Sequence, residues 1–426
     1  GITMEQWLNL LREGVTAAHT IAFVKNDLLE NGFEELETGQ VWNLQKGGKY
    51  YVNLFGTNCM AFRVSDRMTE GTSPAFRIAM AHSDYPCFQI KPQPEIYSKN
   101  VTKLNVEIYG GMYQKSWLDR PLGIGGSLVV RGTDAFHPNT VLYRSNKPLC
   151  IIPSLAIHMD RELNKKGALD TGKELVPLMS LSEKADLLEY IAKECNLEKE
   201  DILSYDLYTF VMDAPVFVGT DSSLVASPRL DNLTSVAALQ EGIKKCDTMP
   251  DDTVDVMVVF DNEEVGSRTK QGADSELLSW IIEKIGKQLN DGFDKCDIMK
   301  ESFLLSVDVA HADHPNYPEK SDATNLAGLG NGFSIKRSVG QKYGTTAMSA
   351  ATLIDICERK KIPYSVAINK TGIPGGSTLG PIVSAHLPFP CADIGMPILA
   401  MHSACELGAV ADYEALRKFL LAFYQI

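Results

Sequence analysis

The sequence has few basic residues relative to acidic ones, no long apolar run and no recognisable leader. Its 426 residues include 41 Lys and Arg against 54 Asp and Glu, a formal net charge of −13. It therefore lacks the basic face with which proteins bind nucleic acids or anionic membranes. No apolar run approaches the roughly 18–20 residues that a membrane-spanning helix needs. The first residues lack a charged stretch followed by an apolar one, so we predict no signal peptide and a cytoplasmic location.

Cysteine is present but follows no pattern. The nine cysteines lie singly between Cys59 and Cys405, with no Cys-x-x-Cys spacing. A disulfide framework and a thiolate zinc site are therefore not expected, and this usage is typical of buried, reduced cysteines in a cytosolic protein. A metal bound by this chain would have to be held by histidines and carboxylates.

Length and composition predict two folded domains. A content of 44% hydrophobic and 22% charged residues is that of an ordinary folded protein. The chain exceeds the roughly 250–300 residues at which a single hydrophobic core stops growing. Between about residue 94 and residue 215, short alternating stretches such as Val101–Tyr109 predominate. We therefore predict one domain formed by residues 1–93 and 216–426, and an inserted, mainly β domain formed by residues 94–215.

The segment from residue 216 onward alternates between apolar runs and amphipathic stretches. The predicted strands are Val254–Phe260, Phe303–Asp308, Tyr364–Ile368 and Ile398–Met401, and the predicted helices include Ser275–Leu289, Thr345–Lys360 and Tyr413–Tyr424. Alternation of this kind is typical of an α/β domain with helices on both faces of the sheet. We therefore predict a mixed, largely parallel sheet flanked by helices.

Side chains able to bind metals follow four of the predicted strands. They are His82 and Asp84 after Phe76–Ala81, Glu263 and Glu264 after Val254–Phe260, Asp308 and His311 at the end of the strand that begins at Phe303, and His402 after Ile398–Met401. Because ligands of open α/β sheets bind outside the carboxyl ends of the strands, we expect these groups at one sheet edge. Asp231 joins the set from the start of a helix, where the helix dipole favours a carboxylate.

This set of side chains has the composition of a two-metal site. Two ions about 3.5–4 Å apart need one bridging carboxylate and further ligands for each ion. The five predicted ligands are His82, Asp231, Glu264, Asp308 and His402, with Asp231 as the bridge. Mixed imidazole and carboxylate ligation suits Zn²⁺, with Mn²⁺ or Co²⁺ as substitutes. Asp84, two residues beyond His82, is predicted to orient that imidazole, and Glu263, left without a metal, is predicted to be the general base.

Eight stretches in order make the chain similar to a known family. They are Met80–Pro86 (MAHSDYP), Ser116–Leu122 (SWLDRPL), Leu155–Met159 with Arg161, Ser227–Leu233 (SPRLDNL), Asp261–Ser267 (DNEEVGS), Ser306–Tyr317 (SVDVAHADHPNY), Gly375–Gly380 (GGSTLG) and Ala400–Ser403 with Glu406. Over nearly its whole length the chain resembles the M18 metallopeptidases, the aspartyl aminopeptidase family.

The resemblance implies a fold, a metal arrangement and an assembly. The fold would be a co-catalytic zinc peptidase domain interrupted by a β-rich dimerisation domain. Carried over residue by residue, His82 and Asp308 would hold one zinc ion, Glu264 and His402 the other, and Asp231 both. The family assembles as homododecamers built from dimers, with active sites facing an internal chamber.

The resemblance also implies a reaction and a substrate. The enzyme would remove N-terminal residues from peptides, with Glu263 acting as general base on a water that bridges the two zinc ions. His158 matches a histidine that reaches into the active site of a neighbouring subunit. Lys336 matches a lysine that pairs with an acidic substrate side chain, and His311, like the nearby His314, is a candidate substrate contact.

Two alternatives remain open. Ile398 and Cys405 stand where acidic-specific relatives carry polar and basic residues, so a preference for neutral N-terminal residues such as leucine is the second hypothesis. A carboxypeptidase or deacylase on the same catalytic architecture would share the metal ligands, and a binding or scaffold protein could keep the fold without the catalysis.

Overall fold

Residues 2–426 are described by a computed structural model, in which the chain forms two units. The larger unit comprises the chain up to Asp84, Pro215–Met401 and Glu406–Ile426, and the smaller unit comprises Tyr85–Ala214 and His402–Cys405. The smaller unit thus begins at Tyr85, whereas the sequence pattern predicts that the insertion begins at residue 94. The functions of the two predicted domains stay predictions.

The helices and strands occur in the following order along the chain. Up to Asp84 they are α1 (Ile2–Glu13), α2 (Ala17–Glu30), β1 (Glu34–Leu36), β2 (Lys49–Leu54), β3 (Asn58–Val64) and β4 (Ala75–His82). The next segment contains β5 (Cys87–Ser98), β6 (Val101–Tyr109), β7 (Pro121–Val130), β8 (Asn139–Arg144), β9 (Cys150–Ile151), α3 (Thr171–Glu174), β10 (Leu178–Ser180), α4 (Leu187–Glu194) and β11 (Ile202–Val211). The remainder contains β12 (Val216–Val218), β13 (Leu224–Ser227), α5 (Leu230–Lys245), β14 (Thr253–Phe260), α6 (Leu277–Leu289), β15 (Phe303–Val307), β16 (Ala310–His311), β17 (Phe333–Arg337), α7 (Ala347–Lys360), β18 (Tyr364–Ile368), α8 (Leu379–His386), β19 (Cys391–Gly395), β20 (Pro397–Leu399), β21 (Glu406–Ala409) and α9 (Val410–Gln425). Within residues 2–426, none of the helices is long and apolar enough to cross a bilayer.

A nine-stranded sheet forms the centre of the larger unit. Its order is β1-β2-β3-β14-β4-β15-β19-β17-β18, and the four central strands β14, β4, β15 and β19 run parallel to one another. Every residue of β14 is buried, because helices cover both faces of the sheet. Val256 and Val258 pack with α6 and α8, whereas Met257 and Val259 pack with α1, α5 and α9. The predicted mixed, largely parallel sheet flanked by helices is confirmed.

A second, five-stranded sheet corrects one prediction. Its order is β12-β13-β21-β20-β16, so the strand that precedes His402 does not belong to the nine-stranded sheet, and the prediction that it does was wrong. The segment from Cys391 to Leu399 contains two strands that are separated at Met396. The first of them, β19, pairs between β15 and β17, and the sequence pattern missed it because an apolar run interrupted by proline is ambiguous.

The smaller unit is built on a seven-stranded sheet of order β11-β5-β6-β10-β9-β7-β8, which closes on itself because β11 also pairs with β7. Pro92 and Pro94 lie inside β5, where the pairing with β6 shifts register between Ile90 and Glu95. A bulge of this kind tolerates residues that cannot donate to the ladder. The prolines therefore do not end the strand.

Candidate metal centre

Three neighbouring parallel strands deliver the acidic and histidine side chains of the candidate centre. His82 is the last residue of β4, Asp308 directly follows β15, and a 3-10 helix formed by Glu263–Val265 begins three residues after β14. Because the strand order is β14-β4-β15 and all three run in the same direction, their carboxyl ends meet at one edge of the sheet.

The imidazole of His82 lies at the centre of a group of carboxylates. Its Nε2 atom is 3.3 Å from Asp308 Oδ2, 3.4 Å from Asp231 Oδ1, 3.4 Å from Glu263 Oε2 and 3.9 Å from Glu264 Oε1. The His82 side chain is fully buried, and its Nε2 has no hydrogen-bond partner among residues 2–426. A buried nitrogen without a partner costs free energy, so the position of Nε2 among these carboxylates fits a ligand of a metal ion.

Asp84 orients both the imidazole and the two glutamates. Its backbone carbonyl and its Oδ1 lie 2.9 and 3.1 Å from His82 Nδ1, so this nitrogen carries the proton and the lone pair of Nε2 points at the carboxylates. The backbone N–H of Glu263 donates to Asp84 Oδ1 at 3.2 Å, and that of Glu264 donates to Oδ2 at 3.0 Å. Asp84 therefore fixes the end of β4 against the turn that carries Glu263 and Glu264.

Asp231 is held by partners that the sequence reasoning did not single out. It lies at the start of α5, where Asp231 and Asn232 have non-helical backbone angles before the regular helix begins. The Asp231 backbone N–H donates to Glu406 Oε1 at 3.0 Å, and Asn232 Nδ2 donates to the carbonyl of Val307 on β15 at 3.0 Å. Glu406 and Asn232 lie within the stretches that carry the family resemblance, and this resemblance is the signal that could have identified them.

The charges of this cluster's side chains are unbalanced. Burial lowers the pKa of His82, but the surrounding carboxylates, Glu263 and Asp308 foremost, outweigh burial and raise it well above its ordinary value. Burial raises the pKa of Glu263, and the neighbouring carboxylates of Glu264, Asp308 and Asp231 raise it further against the opposing effect of His82. Four carboxylates thus share one imidazole, an arrangement that a divalent cation would neutralise.

The donor set fits metal ions. Ligand atoms of His82, Glu263 and Asp308 lie within 4.8 Å of one another, as do those of His82, Asp231 and Glu264. A single imidazole nitrogen can ligate only one ion, so the second ion needs a donor beyond these groups. Buried imidazole and carboxylate donors are the kinds that Zn²⁺ accepts.

Two predicted site residues belong to the smaller unit. His402 donates from Nδ1 to the carbonyl of Gly111 at 2.9 Å, within that unit. His158 is exposed on a 3-10 helix formed by Ile157–Met159. The structure brings together His82, Asp84, Asp231, Glu263, Glu264 and Asp308 in the larger unit, and the roles of His402 and His158 stay predictions.

A cavity of ≈ 340 Å³ in the larger unit is lined by the predicted substrate-binding residues Lys336 and His311, and by His314. Lys336 is 3% exposed, and its ammonium donates to the carbonyl of Val309 at 3.0 Å and lies 5.3 Å from the ring centroid of Tyr343. The first lining residue along the chain is Ala310, two residues after Asp308.

Comparison with known proteins identifies relatives over the whole length of the chain. Residues 10–424 match the family described as aminopeptidase I zinc metalloprotease (M18). A probable M18 family aminopeptidase 2 of Clostridium novyi is 39% identical over 426 residues, covering 98% of each chain. The aspartyl aminopeptidase 4 of Saccharomyces cerevisiae is 32% identical over 466 residues, covering 99% of this chain and 94% of its own.

Solved structures have the same fold. A chain of the Ape4 and Nbr1 complex superimposes with a TM-score of 0.93 and 27% identity, covering 99% of this chain and 85% of its own. A chain of the mApe1 dodecamer of Saccharomyces cerevisiae superimposes with a TM-score of 0.84 and 24% identity, covering 100% of this chain and 96% of its own. Both likenesses confirm the predicted fold class, an α/β domain with an inserted, mainly β domain.

Proposed function

The chain belongs to the M18 family of zinc aminopeptidases, and from this premise we propose that it uses two zinc ions to remove N-terminal residues from peptides, acidic residues foremost. One observation carries the proposal: the buried Nε2 of His82 faces four carboxylates and has no hydrogen-bond partner among residues 2–426. If these carboxylates had only a structural role, we would expect a lysine or arginine side chain to pair with them.

Five residues would hold the ions. The proposed ligands are His82 and Asp308 for one ion, Glu264 and His402 for the other, and Asp231 for both, with Mn²⁺ or Co²⁺ as possible substitutes for Zn²⁺. When bound, zinc supplies Lewis acidity toward the peptide carbonyl and toward water. The proposed set draws four ligands from the larger unit and takes His402 from the family resemblance.

Glu263 is the proposed general base. It is clamped through its backbone N–H by Asp84, so its carboxylate projects from a rigid turn beside the ligand atoms of His82 and Asp308. Glu263 takes the proton from the attacking water and delivers it to the leaving amine nitrogen.

Lys336 is the proposed recognition group for an acidic N-terminal side chain, with His311 as a second contact. Both residues line the cavity of ≈ 340 Å³. A buried ammonium is screened less than one in bulk water, so it discriminates more strongly between a carboxylate and a neutral group. Ile398 also lines this cavity, and this apolar contact favours the second candidate, an aminopeptidase that prefers neutral residues such as leucine.

Self-association is part of the proposal. The name of the yeast mApe1 dodecamer supports an assembly of twelve chains, and the family resemblance adds that it is built from dimers. In that assembly the inserted domain would make the dimer contact, and the exposed His158 would reach a neighbouring active site. The partners are then peptides and further copies of this chain, without nucleic acid or membrane. The cytoplasmic location stays a prediction.

Peptide hydrolysis with defined N-termini tests the proposal. Chromogenic substrates with N-terminal Asp, Glu and Leu are compared, with N-acetyl-Asp as the matched control that lacks a free amine. We expect the order Asp and Glu above Leu, and no hydrolysis of the acetylated substrate or after chelation. Faster hydrolysis of the Leu substrate would replace the acidic preference by the second candidate, and hydrolysis of the acetylated substrate would contradict an aminopeptidase mechanism.

A further inference from the structure

Asp393 is a buried carboxylate that pairs across the sheet with Lys336. It lies on β19 directly opposite Lys336 on β17, in the antiparallel pairing of these strands. Directly opposite residues project from the same face of a sheet, so the two charged side chains share one face. Asp393 is fully buried, which raises its pKa, while the positive charge of Lys336 opposes this shift.

The Asp393 carboxylate holds two loops that line the Lys336 cavity. The backbone N–H of Gly344 donates to Oδ2 at 2.6 Å, and the hydroxyl of Thr378 donates to Oδ1 at 2.7 Å. Gly344 directly follows Tyr343, whose ring contacts the Lys336 ammonium. Thr378 lies two residues after Gly376, another residue of the cavity wall. Each oxygen of the carboxylate therefore anchors a different wall segment.

Backbone groups around Asp393 leave it little freedom to move. Its own backbone N–H donates to the hydroxyl of Thr345 at 2.9 Å, which adds a second link to the Tyr343 loop. A Cβ at Gly380 would lie 2.2 Å from Asp393 Oδ2, so the first turn of α8 passes directly beside the carboxylate. The start of a helix favours a negative charge, which adds to the fit.

We propose that Asp393 is a positioning residue for the recognition of the substrate's N-terminal side chain. It holds the loops of Tyr343 and Gly376 around Lys336, and so sets the discrimination between acidic and neutral N-terminal residues. This inference rests on the proposed function, because it assigns the Lys336 cavity to the substrate side chain. Asp393 acts through these loops and does not touch the substrate.

The substitution Asp393→Asn tests the proposal with little change in shape. An amide has only one acceptor oxygen, so one of the two anchoring bonds, from Gly344 or from Thr378, is lost. Asp412→Asn is the matched control. Asp412 is another fully buried carboxylate, and it accepts the N–H groups of Gly330 and Gly332, each at 2.9 Å, which lie outside the cavity lining.

Two measurements are made on the zinc-loaded full chain. Hydrogen exchange followed by mass spectrometry reports the loops at residues 338–346 and 369–378. We expect faster exchange there in Asp393→Asn and not in Asp412→Asn. The second measurement is kcat and KM for Asp-, Glu- and Leu-terminal substrates, with zinc per chain determined in parallel. We expect the ratio of kcat/KM for the preferred over the non-preferred substrate to fall about ten-fold in Asp393→Asn, chiefly through KM, because a hydrogen bond to a charged group is lost.

Each outcome decides the matter. Loosened loops together with a reduced ratio and unchanged zinc content support the proposal. Unchanged exchange in both loops, or a ratio equal to that of the wild type or altered equally by Asp412→Asn, overturns it. A wild-type enzyme that prefers Leu refutes the acidic preference alone, and loss of that Leu preference in Asp393→Asn then still supports the positioning role. A wild-type enzyme without any preference overturns the proposal, since there is no discrimination to position.

Discussion

Two histidines of the larger unit lie among carboxylates and differ in how the protein satisfies them. His386, at the end of α8, has Nδ1 2.7 Å from Glu276 Oε1 and Nε2 2.8 Å from Asp274 Oδ1, so both nitrogens are hydrogen-bonded. His82 has only Nδ1 satisfied, by Asp84, and its Nε2 has no hydrogen-bond partner among residues 2–426.

The difference separates a structural ion pair from a site of chemistry. At His386 one imidazole meets two acids near the surface, so a protonated ring donates one hydrogen bond to each acid, and solvent screens the remaining charge. At His82 the ring is fully buried and four carboxylates surround it, so one proton cannot balance the charges. A histidine among carboxylates therefore indicates a metal when the ring is buried, one nitrogen is left over and the acids outnumber the available protons.

Removal of metal gives the largest expected effect, because it acts on the unbalanced cluster alone. Dialysis against a chelator should reduce aminopeptidase activity to background, and added Zn²⁺ should restore it. The hydrogen bonds of His386 do not depend on a metal and should persist. The far-ultraviolet circular dichroism signal, which reports secondary structure, should persist as well. Full activity of a chain from which mass analysis finds the metal removed would refute the two-metal assignment.

Glu263→Gln is the next largest change. The amide keeps the shape of the side chain but cannot accept the proton of water, so kcat should fall about 10²–10⁴-fold. Zinc per chain should stay at the wild-type value, because Glu263 is assigned to the proton and not to an ion. A mutant nearly as fast as the wild type would contradict that assignment.

Glu264→Ala sharpens the distinction between neighbouring glutamates. Glu264 is assigned to an ion, so zinc per chain should fall from about two to about one, with activity reduced in parallel. Glu263→Ala serves as the matched control, since it deletes the adjacent carboxylate and should leave zinc content unchanged. Equal zinc content in both variants would remove the basis for giving the two residues different roles.

These roles also show what the sequence could and could not predict. The strand Tyr364–Ile368 is observed with the predicted bounds, and Val254–Phe260 and the strand beginning at Phe303 differ from the observed strands by one residue. Apolar runs flanked by polar residues fix β14 and β15, because these central strands are buried on both faces, whereas β18 is a half-buried edge strand. The carboxyl ends of β4, β14 and β15 then carry His82, Glu263, Glu264 and Asp308 to one edge of the sheet, as predicted.

Tertiary contacts decide what the sequence left open. β19 was missed because Cys391–Gly395 is short and adjoins prolines, and only its place between β15 and β17 makes it a strand. Pro92 and Pro94 lie within β5 only because a bulge in its pairing with β6 accommodates both. The support that Glu406 gives to Asp231 joins residues 175 positions apart, and no local pattern encodes such a hydrogen bond.

His386→Gln gives the smallest expected effect and tests the histidine whose two ring nitrogens are both hydrogen-bonded. Hydrogen bonds to Asp274 foremost, and to Glu276, raise the pKa of His386 above its ordinary value. A raised folded-state pKa means that the stabilisation is fully present below the unfolded value of about 6.5 and is lost as the pH rises through the folded value. The pair is partly exposed, so we expect a loss of about 1 kcal/mol or less in the free energy of unfolding.

The measurement for His386→Gln is thermal unfolding at two pH values, one near 6 and one near 9, about half a unit and more than two units from the ordinary imidazole value. The difference in melting temperature from the wild type should be larger at the lower pH, and activity per folded chain should be unchanged at both. A larger difference at the higher pH would reverse the sign and contradict the protonated pair.

The number of zinc ions bound by each folded chain tests the central claim most directly. The protein is stripped with a chelator, saturated with Zn²⁺, freed of excess metal and analysed for zinc and for protein in the same sample. The unbalanced cluster around His82 predicts two zinc ions per chain. A folded, saturated chain that retains one ion or none would contradict the account.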